Sequence, residues 1–211
     1  MKPVNKINIV KDLASEIGIN NYSIDNYILL YDNYDHSYPL QKFKGKGSIK
    51  IEQMMFVLIT GGSITIDVNE EEVTLRQKDC VVITPDSILE IKNYTTDFNF
   101  QMHVFCQELV KDTFKDLNIN YNLMSLSHIF KHKQCDEVAY NYRINLYKEL
   151  KEELSLPQYK YQKLFARAFA NLIFTNNINL FNLNETTSKR KTSKQINVFK
   201  KFLELLNTYS V

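Results

Sequence analysis

The stretch FVLITGGSITIDVNEEEVTLRQKDCVVITPDSILEI, residues 56–91, decides the fold. Its middle, SITIDV (63–68), alternates isoleucine and valine with serine, threonine and aspartate, which is the pattern of a half-buried strand. An acidic tip turns the chain into a returning strand, EEVTL (71–75), and Pro85 closes the next strand, CVVIT (80–84). Short strands separated by turn residues predict a small antiparallel barrel or sandwich.

The strand pattern continues on both sides of this stretch. NYILLY (26–31) and MMFVLIT (54–60) are predicted as strands before it. ILEIKN (88–93) and FNFQMHVF (98–105) are predicted as the strands that end the series. The first half of the chain therefore reads as β-structure.

From about residue 107 onwards the apolar spacing becomes that of helices. QELVKDTFKDL (107–117) predicts a first helix. A second begins at Asp136, a favoured N-cap residue type, and ends before Pro157, which disfavours helix at the residue preceding it. A third helix is predicted over about 159–176, and the short link makes it an antiparallel neighbour of the second. The fold class is therefore predicted as α+β.

The chain divides into three parts by composition. Residues 1–106 form the predicted barrel with an N-terminal arm, and residues 107–183 form a helical segment. The stretch NETTSKRKTSKQ (184–195) is polar and basic without an apolar period, which is typical of a linker. A further helix starts at Ile196, so we expect residues 184–211 to lead into a domain that this chain lacks.

Composition and charge narrow the class of protein. Hydrophobic residues make up 44% of the chain, charged residues make up 24%, and the net charge is +2. Such a balanced charge argues against a nucleic-acid-binding domain within these residues. The three cysteines form no CxxC pair, and no apolar run approaches the roughly 18 residues that span a bilayer. We therefore expect a cytoplasmic protein without a membrane partner.

Residues 56–105 resemble the cupin barrel of AraC-family transcription regulators. The pattern L-x-x-x-D-x-x-x-I-x-P is carried here by Leu75, Asp79, Ile83 and Pro85. The helical pair, basic linker and new helix also match the layout of such regulators from gut Bacteroidetes-type bacteria. The resemblance implies a cupin-like (jelly-roll) barrel that binds a small-molecule effector, helices that form a homodimer, and DNA contact only through a helix-turn-helix half that is absent here.

One departure from the cupin pattern bears on chemistry. Metal-binding cupins carry two histidines and a glutamate after the first glycine, whereas SITIDVNEEE (63–72) has no histidine. The position of a later cupin histidine is Leu89. Without these ligands we predict no metal, no cofactor and no catalytic residues, so the chain is not expected to be an enzyme. A cupin-like enzyme or a stand-alone sugar-binding protein is the alternative, and a ligand-free dimerisation scaffold is a third.

The resemblance also indicates where an effector would bind. It points to Gln101 and His103 as side chains that face the barrel interior, although His103 as a core or edge histidine satisfied by a neighbour remains the alternative. A similar carry-over points to Thr60, Leu89 and Ile91. Because these side chains are mostly apolar, the pocket is either filled by its own residues or takes a hydrophobic effector. The sequence does not identify the effector.

The second and third helices carry the predicted dimer interface. Apolar residues repeat every four positions from Val138 to Leu154, and a second stripe runs from Leu164 to Ile173. One stripe can pack on the barrel, which leaves the other for a partner chain. The candidate interface residues are Tyr142, Leu146, Leu150, Phe165 and Phe169.

Overall fold

Two β-sheets and three helices make up the part of the chain that the structure describes. The structure is a computed structural model, and it describes residues 5–7, 23–24, 27–33, 47–118, 131–155 and 162–181. The strands are β1 (Asn5–Ile7), β2 (Ser23–Ile24), β3 (Ile28–Asp32), β4 (Ile49–Ile51), β5 (Met54–Gly61), β6 (Ser63–Val68), β7 (Glu71–Arg76), β8 (Asp79–Ile83), β9 (Ile88–Tyr94), β10 (Asn99–Phe105) and β11 (Lys131–Gln134). The helices are α1 (Gln107–Asp116), α2 (Glu137–Leu154) and α3 (Gln162–Phe181).

The two sheets have different edges and neighbours. The first has the order β1-β4-β9-β6-β7 and the second has the order β11-β8-β5-β10-β3-β2. Neighbouring strands are antiparallel except for β1 and β4, which pair in parallel. Within the described ranges no strand pairing closes the sheets into one barrel. The predicted α+β fold is confirmed.

A continuous apolar core fills the space between the sheets. Alternation along the central strands sends every second side chain into this core, as the period of a strand requires. On β10 the inward residues are Phe100, Met102 and Val104, and on β6 they are Ile64, Ile66 and Val68. Phe100 packs against Tyr31 of β3 with ring centroids 5.6 Å apart. The core residues come from both sheets, so their burial holds the sheets together.

Gly62 makes the tight connection between β5 and β6. Its φ angle is +59°, a conformation that glycine adopts at little cost. A Cβ atom at this position would lie 2.7 Å from the backbone nitrogen of Phe98. The glycine is therefore required both by the backbone angle and by the close approach of the neighbouring chain.

The helices cover the outer face of the second sheet. Phe174 of α3 lies at the centre of an aromatic cluster, with ring centroids 4.9 Å from Phe56, 5.2 Å from Phe105 and 5.4 Å from Phe114. Phe56 belongs to β5, Phe105 to β10 and Phe114 to α1. This cluster joins α1, α3 and the sheet, so the helical segment packs directly on the sandwich.

The ends of the helices follow local sequence signals. Asp136 is the N-cap of α2, as predicted, and its Oδ1 accepts a hydrogen bond from the backbone N–H of Ala139 at 2.8 Å. The helix ends at Leu154, before Pro157. Helix α3 continues to Phe181, beyond the predicted end at 176, because apolar residues such as Ile178 extend its buried side. No helix in the described ranges is long and apolar enough to cross a membrane.

Three features of the sequence prediction differ from the structure or fall outside it. Strands β1, β2, β4 and β11 were not predicted, and β11 has the sequence KHKQ. Its polar and charged side chains suit the edge of the second sheet, where β11 lies. The predicted linker and helix over 184–211 and most of the N-terminal arm lie outside the described residues.

Candidate functional site

The outer face of β10 places polar side chains between the second sheet and the helices. Gln101 and His103 alternate with the core residues of β10 and so point away from the inter-sheet space. The His103 ring lies 5.4 Å from the Tyr147 ring of α2 and 6.0 Å from the Phe169 ring of α3, measured between centroids. The expectation that Gln101 and His103 face the barrel interior is therefore wrong. The aromatic and aliphatic residues of β10 take the interior, and the helices cover the polar ones.

Strand register aligns a row of side chains across this face. Asp32 of β3 is opposite Gln101 of β10, Gln101 is opposite Leu58 of β5, and Leu58 is opposite Cys80 of β8. We call Asp32, Gln101, Leu58 and Cys80 the transverse row. Opposed residues of neighbouring strands lie side by side on one face, so the row runs perpendicular to the strands.

Helix α2 lies across the strands, roughly along this row. The Tyr140 hydroxyl donates to the carbonyl oxygen of Thr60 on β5 at 3.3 Å, and the Tyr147 hydroxyl donates to Asp32 on β3 at 3.1 Å. The rise between Tyr140 and Tyr147 is about 10 Å at about 1.5 Å per residue. Two strand spacings of about 4.8 Å span nearly the same distance. The helix axis therefore crosses the strands at a steep angle.

A buried carboxylate holds the C-terminal half of α2. The Asp32 side chain is only 5% exposed, and its Oδ2 accepts hydrogen bonds from Tyr147 and from Lys151 Nζ at 2.8 Å. A buried charge with a paired cation and a hydroxyl donor is tolerated, whereas loss of either partner leaves it uncompensated. Asp32 therefore fixes the position of α2 on β3.

Three side-chain atoms near the middle of the transverse row are buried without a hydrogen-bond partner. They are Thr60 Oγ1, Gln101 Oε1 and His103 Nε2. Thr60 and Gln101 are themselves more than nine-tenths buried. An unsatisfied buried polar group costs about 1–3 kcal/mol, so such groups are rare unless something else compensates for them. This group of atoms is the candidate binding site of the described part of the chain.

The imidazole of His103 is neutral at physiological pH. Burial, together with the positive charge of Arg143 on α2, lowers the pKa of His103 to about 3, although a backbone hydrogen bond at Phe56 acts in the opposite direction. A neutral imidazole has one nitrogen that donates and one that accepts. His103 Nε2 is therefore available as a single uncharged hydrogen-bonding group.

Two thiols lie side by side at the N-terminal end of α2. Cys80 Sγ lies 3.3 Å from Cys135 Sγ, and neither cysteine is in a disulfide. The hydrogen bond between the thiols raises the pKa of Cys80 and lowers that of Cys135, while burial raises the pKa of both and the charge of Arg143 lowers both. Lys78 and Glu137 form an ion pair beside them. Arg143 donates to the carbonyl oxygen of Asn176 at 3.2 Å, which links α2 to α3.

The structure separates the five predicted ligand residues into two sets. Ile91 is buried in the inter-sheet core, and Leu89 is half-buried against it. Thr60, by the alternation of β5, lies on the helix side together with Gln101 and His103. The apolar pair therefore lies between the two sheets, and the polar set lies between the second sheet and the helices. The five residues do not form one site.

The predicted interface residues also divide. Leu150 and Phe169 are buried within the chain, Leu146 and Phe165 are half-buried, and Tyr142 is 45% exposed. The outward apolar side chains of α2 and α3 are instead Val138, Tyr142, Leu164 and Leu172. Asn176 of α3 donates to the Tyr142 hydroxyl at 3.4 Å, which connects the two helices at this surface. We call these four residues the outer apolar face.

The sequence contained a signal for the residues that position α2, but apolar periodicity obscured it. Arg143, Tyr147 and Lys151 repeat every four residues, which places them along one side of the helix. Asp32 ends the apolar strand ILLYD and is its only charged residue. In the described ranges, no three histidine, cysteine or acidic side chains are grouped in a way that could hold a metal ion.

Comparisons with known proteins found similarity at the level of solved structures. No family model matches the chain, and no curated protein matches it. The chain is similar to an apo variant of ToxT from Vibrio cholerae, with 12% identity, a TM-score of 0.49, and coverage of 87% of this chain and 65% of that one.

Two further structures show the range of the similarity. One is the AraC-like transcriptional activator CuxR, with 10% identity, a TM-score of 0.44, and coverage of 88% of this chain and 59% of that one. The other is the cupin domain of Cnp3 from Schizosaccharomyces pombe, with 17% identity, a TM-score of 0.28, and coverage of 36% and 54%. The chain thus spans less than two thirds of the length of ToxT and of CuxR.

Proposed function

We propose that this chain is the effector-sensing and dimerising part of an AraC-type bacterial transcription regulator and controls a helix-turn-helix domain of the same polypeptide. One observation carries the proposal. Helix α2 covers the buried, unpartnered polar atoms of Thr60, Gln101 and His103 on its inner side, and it exposes Val138 and Tyr142 on its outer side. A single element therefore touches both the candidate ligand site and the candidate partner surface.

The chemistry of the inner side favours a small, neutral effector that bears hydroxyl groups. Gln101 Oε1 accepts hydrogen bonds, and the Thr60 hydroxyl and the neutral imidazole of His103 each pair with donors or acceptors. The nearby charges of Asp32 and Lys151 already neutralise each other. A sugar-like molecule supplies several hydroxyl groups that can pair with such atoms.

Effector binding would act on α2 by changing its preferred position. An effector shifts a conformational equilibrium only by its differential affinity for the two states. A molecule bound to Gln101 and His103 lies beneath α2, so it favours the position of α2 that accommodates it. The shift would change how the outer apolar face is presented, which couples the effector to the dimer.

A binding screen tests the sensing function. We expect members of a panel of neutral monosaccharides and sugar alcohols to raise the midpoint of thermal unfolding, with affinity confirmed by calorimetry. Gln101→Leu and His103→Leu should each weaken binding by about tenfold or more, since each loses a hydrogen bond worth about 1.5 kcal/mol. The matched control, Gln134→Leu on the exposed edge strand β11, should bind as the wild type does.

The contrary results are equally specific. Binding that is unaffected by both substitutions would place the effector elsewhere. Stabilisation by long-chain fatty acids alone, with loss of binding on substitution of Ile91, would place a hydrophobic effector between the sheets instead.

Solution mass tests the dimer. Burial of each leucine at an interface contributes about 1.5–3 kcal/mol, and a charge placed there also costs desolvation. We expect light scattering to give twice the chain mass of 24.8 kDa for the wild type and the single-chain mass for Tyr142→Glu and Leu164→Glu. The control Asn145→Glu introduces the same charge at an exposed polar position of α2 and should stay dimeric. A monomeric wild type at high micromolar concentration would refute the dimer.

The regulatory assignment also predicts what residues 1–211 do not do. We expect no sequence-specific binding to duplex DNA, because no helix-turn-helix pattern is evident in this sequence. A gel-shift experiment with the upstream region of the gene measures this. Tight, salt-resistant and sequence-selective binding by residues 1–211 alone would overturn the proposal that a separate helix-turn-helix domain binds the DNA.

A further inference from the structure

Cys80 and Cys135 are distant in sequence and adjacent in space. They are 55 residues apart along the chain, and their sulfur atoms are 3.3 Å apart. Cys80 lies in β8, and Cys135 is the residue before the N-cap of α2. The pair therefore bridges the second sheet and the start of the helix that covers the candidate ligand site.

The surroundings of the pair differ from those of an ordinary buried cysteine. Both thiols are enclosed in a small apolar cluster with Leu58, separate from the main core. The positive charge of Arg143 on α2 lowers the pKa of both thiols. A cation next to a thiol stabilises the thiolate, which is the nucleophilic form, whereas purely apolar surroundings suppress it.

We propose that Cys80 and Cys135 are a peroxide-oxidised site that forms a reversible intramolecular disulfide. The third cysteine, Cys106, is the internal contrast. It caps α1 by accepting a hydrogen bond from the backbone of Leu109 at 3.5 Å, and it is half-buried.

The chemistry of the site balances with hydrogen peroxide as the oxidant. The Cys135 thiolate attacks one peroxide oxygen, the O–O bond breaks, and a sulfenic acid forms as the other oxygen leaves as water after taking up a proton. Cys80 sulfur then attacks Cys135 sulfur, the S–S bond forms, and the S–O bond breaks. The hydroxide that leaves takes the Cys80 proton and becomes a second water. Two thiols are oxidised to one disulfide, and one peroxide is reduced to two waters.

The backbone around Cys135 permits the sulfur atoms to close. A disulfide requires an S–S distance of about 2.05 Å, so the sulfur atoms must approach by about 1.2 Å. Cys135 lies between the edge strand β11 and α2, in neither element, and its N–H donates to the carbonyl oxygen of Lys78 at 2.9 Å. Because β11 is at the edge of the sheet, a local opening there admits a molecule as small as peroxide without unfolding the core.

Oxidation would fasten the N-terminal end of α2 to β8. The non-covalent contacts at this end include the ion pair of Lys78 with Glu137 and the hydrogen bond from Tyr140 to Thr60. A covalent link between residues far apart in sequence also restricts the unfolded chain. The oxidised protein should therefore unfold at a higher temperature than the reduced protein.

The experiment uses the full chain, reduced with dithiothreitol, freed of reductant and treated with hydrogen peroxide. Free thiols are counted with a maleimide after denaturation, and peptides are mapped without reduction. We expect loss of two of the three thiols, a peptide that joins Cys80 to Cys135, and recovery of both thiols with dithiothreitol. Cys106→Ser should behave as the wild type apart from its missing thiol, and Cys80→Ser and Cys135→Ser should form no intramolecular disulfide.

Several outcomes would overturn the proposal. These are retention of all three thiols, a disulfide that includes Cys106, a bond between two chains, and irreversible oxidation of Cys135 while Cys80 stays reduced. Peptide mapping of the wild type decides among them even where a cysteine variant fails to fold. The thermal shift between the oxidised and reduced wild type gives an independent measurement, and its absence in protein that carries the Cys80–Cys135 disulfide would refute the fastening of α2 to β8.

Discussion

Replacement of His103 by glutamine should remove a large part of the acid sensitivity of this protein. His103 Nε2 is enclosed between β10, Tyr147 and Phe169, although the residue as a whole is half-buried. Burial lowers its pKa to about 3, and the charge of Arg143 acts in the same direction. The folded protein therefore holds this imidazole neutral at pH values where an unfolded chain protonates it.

The size of the effect follows from the two pKa values. An unfolded histidine has a pKa of about 6.5, so between about pH 7 and pH 5 the unfolded state takes up a proton that the folded state does not. Because the folded pKa is the lower one, stability is greatest above about pH 6.5 and falls as the pH decreases towards 3. The proton linkage amounts to about 2 kcal/mol between about pH 7 and pH 5. Any folded pKa below about 4 gives nearly the same figure, since such a group stays neutral at pH 5.

Urea unfolding at about pH 7, 6 and 5 measures this linkage. The wild type should lose about 2 kcal/mol more than His103→Gln between the two extremes, whatever the stability of the variant at neutral pH. Subtraction of the two curves cancels the carboxylates and the other histidines, which titrate in both proteins.

Parallel curves for the wild type and His103→Gln would refute this reasoning. They would mean that the imidazole is protonated in the folded protein or reaches solvent there. In either case the enclosed environment described between the sheet and α2 would be incorrect, and the proposed ligand group at Gln101 and His103 would lose its basis.

Three further predictions concern the backbone, the buried carboxylate and metal content. Gly62→Ala should lower the free energy of unfolding by about 1–3 kcal/mol, since a Cβ atom meets the backbone of Phe98 and the φ angle is positive; a urea midpoint equal to that of the wild type would contradict this. Tyr147→Phe should cost about 1.5–3 kcal/mol because it removes a donor to the buried Asp32, whereas Tyr142→Phe on the outer surface should change stability by less than about 0.5 kcal/mol in the same assay. Elemental analysis of purified protein should find well below about one zinc, iron or manganese ion per chain, and a tightly held stoichiometric ion would oppose the prediction of a non-metal cupin.

The stretch that carries period-two alternation could be predicted closely from sequence. Strand β6 has the predicted bounds of 63–68, and β8 and β9 begin or end within one residue of the prediction. Alternation is decisive for β6 because only one of its faces is buried, so polar and apolar side chains point to opposite sides. Strand β11 carries no such pattern. It is short, polar and at the edge of the sheet, so its pairing with β8 positions it and not the burial of its side chains.

The dimer stripe shows why a regular apolar spacing is an incomplete guide. Successive residues of an α-helix turn by about 100°, so a spacing of four residues drifts by about 40° at each step. From Val138 to Leu150 the drift adds up to about 120°, which is enough to pass from one side of the helix to another. The structure agrees, since Val138 is 81% exposed and Leu150 is 9% exposed. The residues of the single predicted stripe therefore divide into an exposed group and a buried group on different sides of α2.

The orientation of β10 could not be derived from its sequence. Both of its faces are covered, one by the opposite sheet and one by α2 and α3, so the polar set and the apolar set each had a plausible buried face. The resemblance placed Gln101 and His103 inside, and the larger apolar side chains occupy that space instead. The orientation of β10 depends on the helices that cover its outer face. The residues of these helices that contact His103 lie more than forty positions later in the chain.

Helix α2 is held on the sheet mainly at its two ends, and this arrangement connects the two proposals. Asp32 fixes the C-terminal half through Tyr147 and Lys151, and the contacts around Cys80 and Cys135 fix the start. Between these anchors the helix crosses Gln101 and His103, whose Oε1 and Nε2 atoms, respectively, have no hydrogen-bond partner. A covalent bond at either end would restrict the movement of the helix as a whole. A disulfide at the N-terminal anchor would therefore make it harder for an effector to enter beneath α2, and a bound effector would in turn alter the approach of the two sulfur atoms. Since coupling between two sites is reciprocal, peroxide oxidation and effector binding should each change the equilibrium of the other.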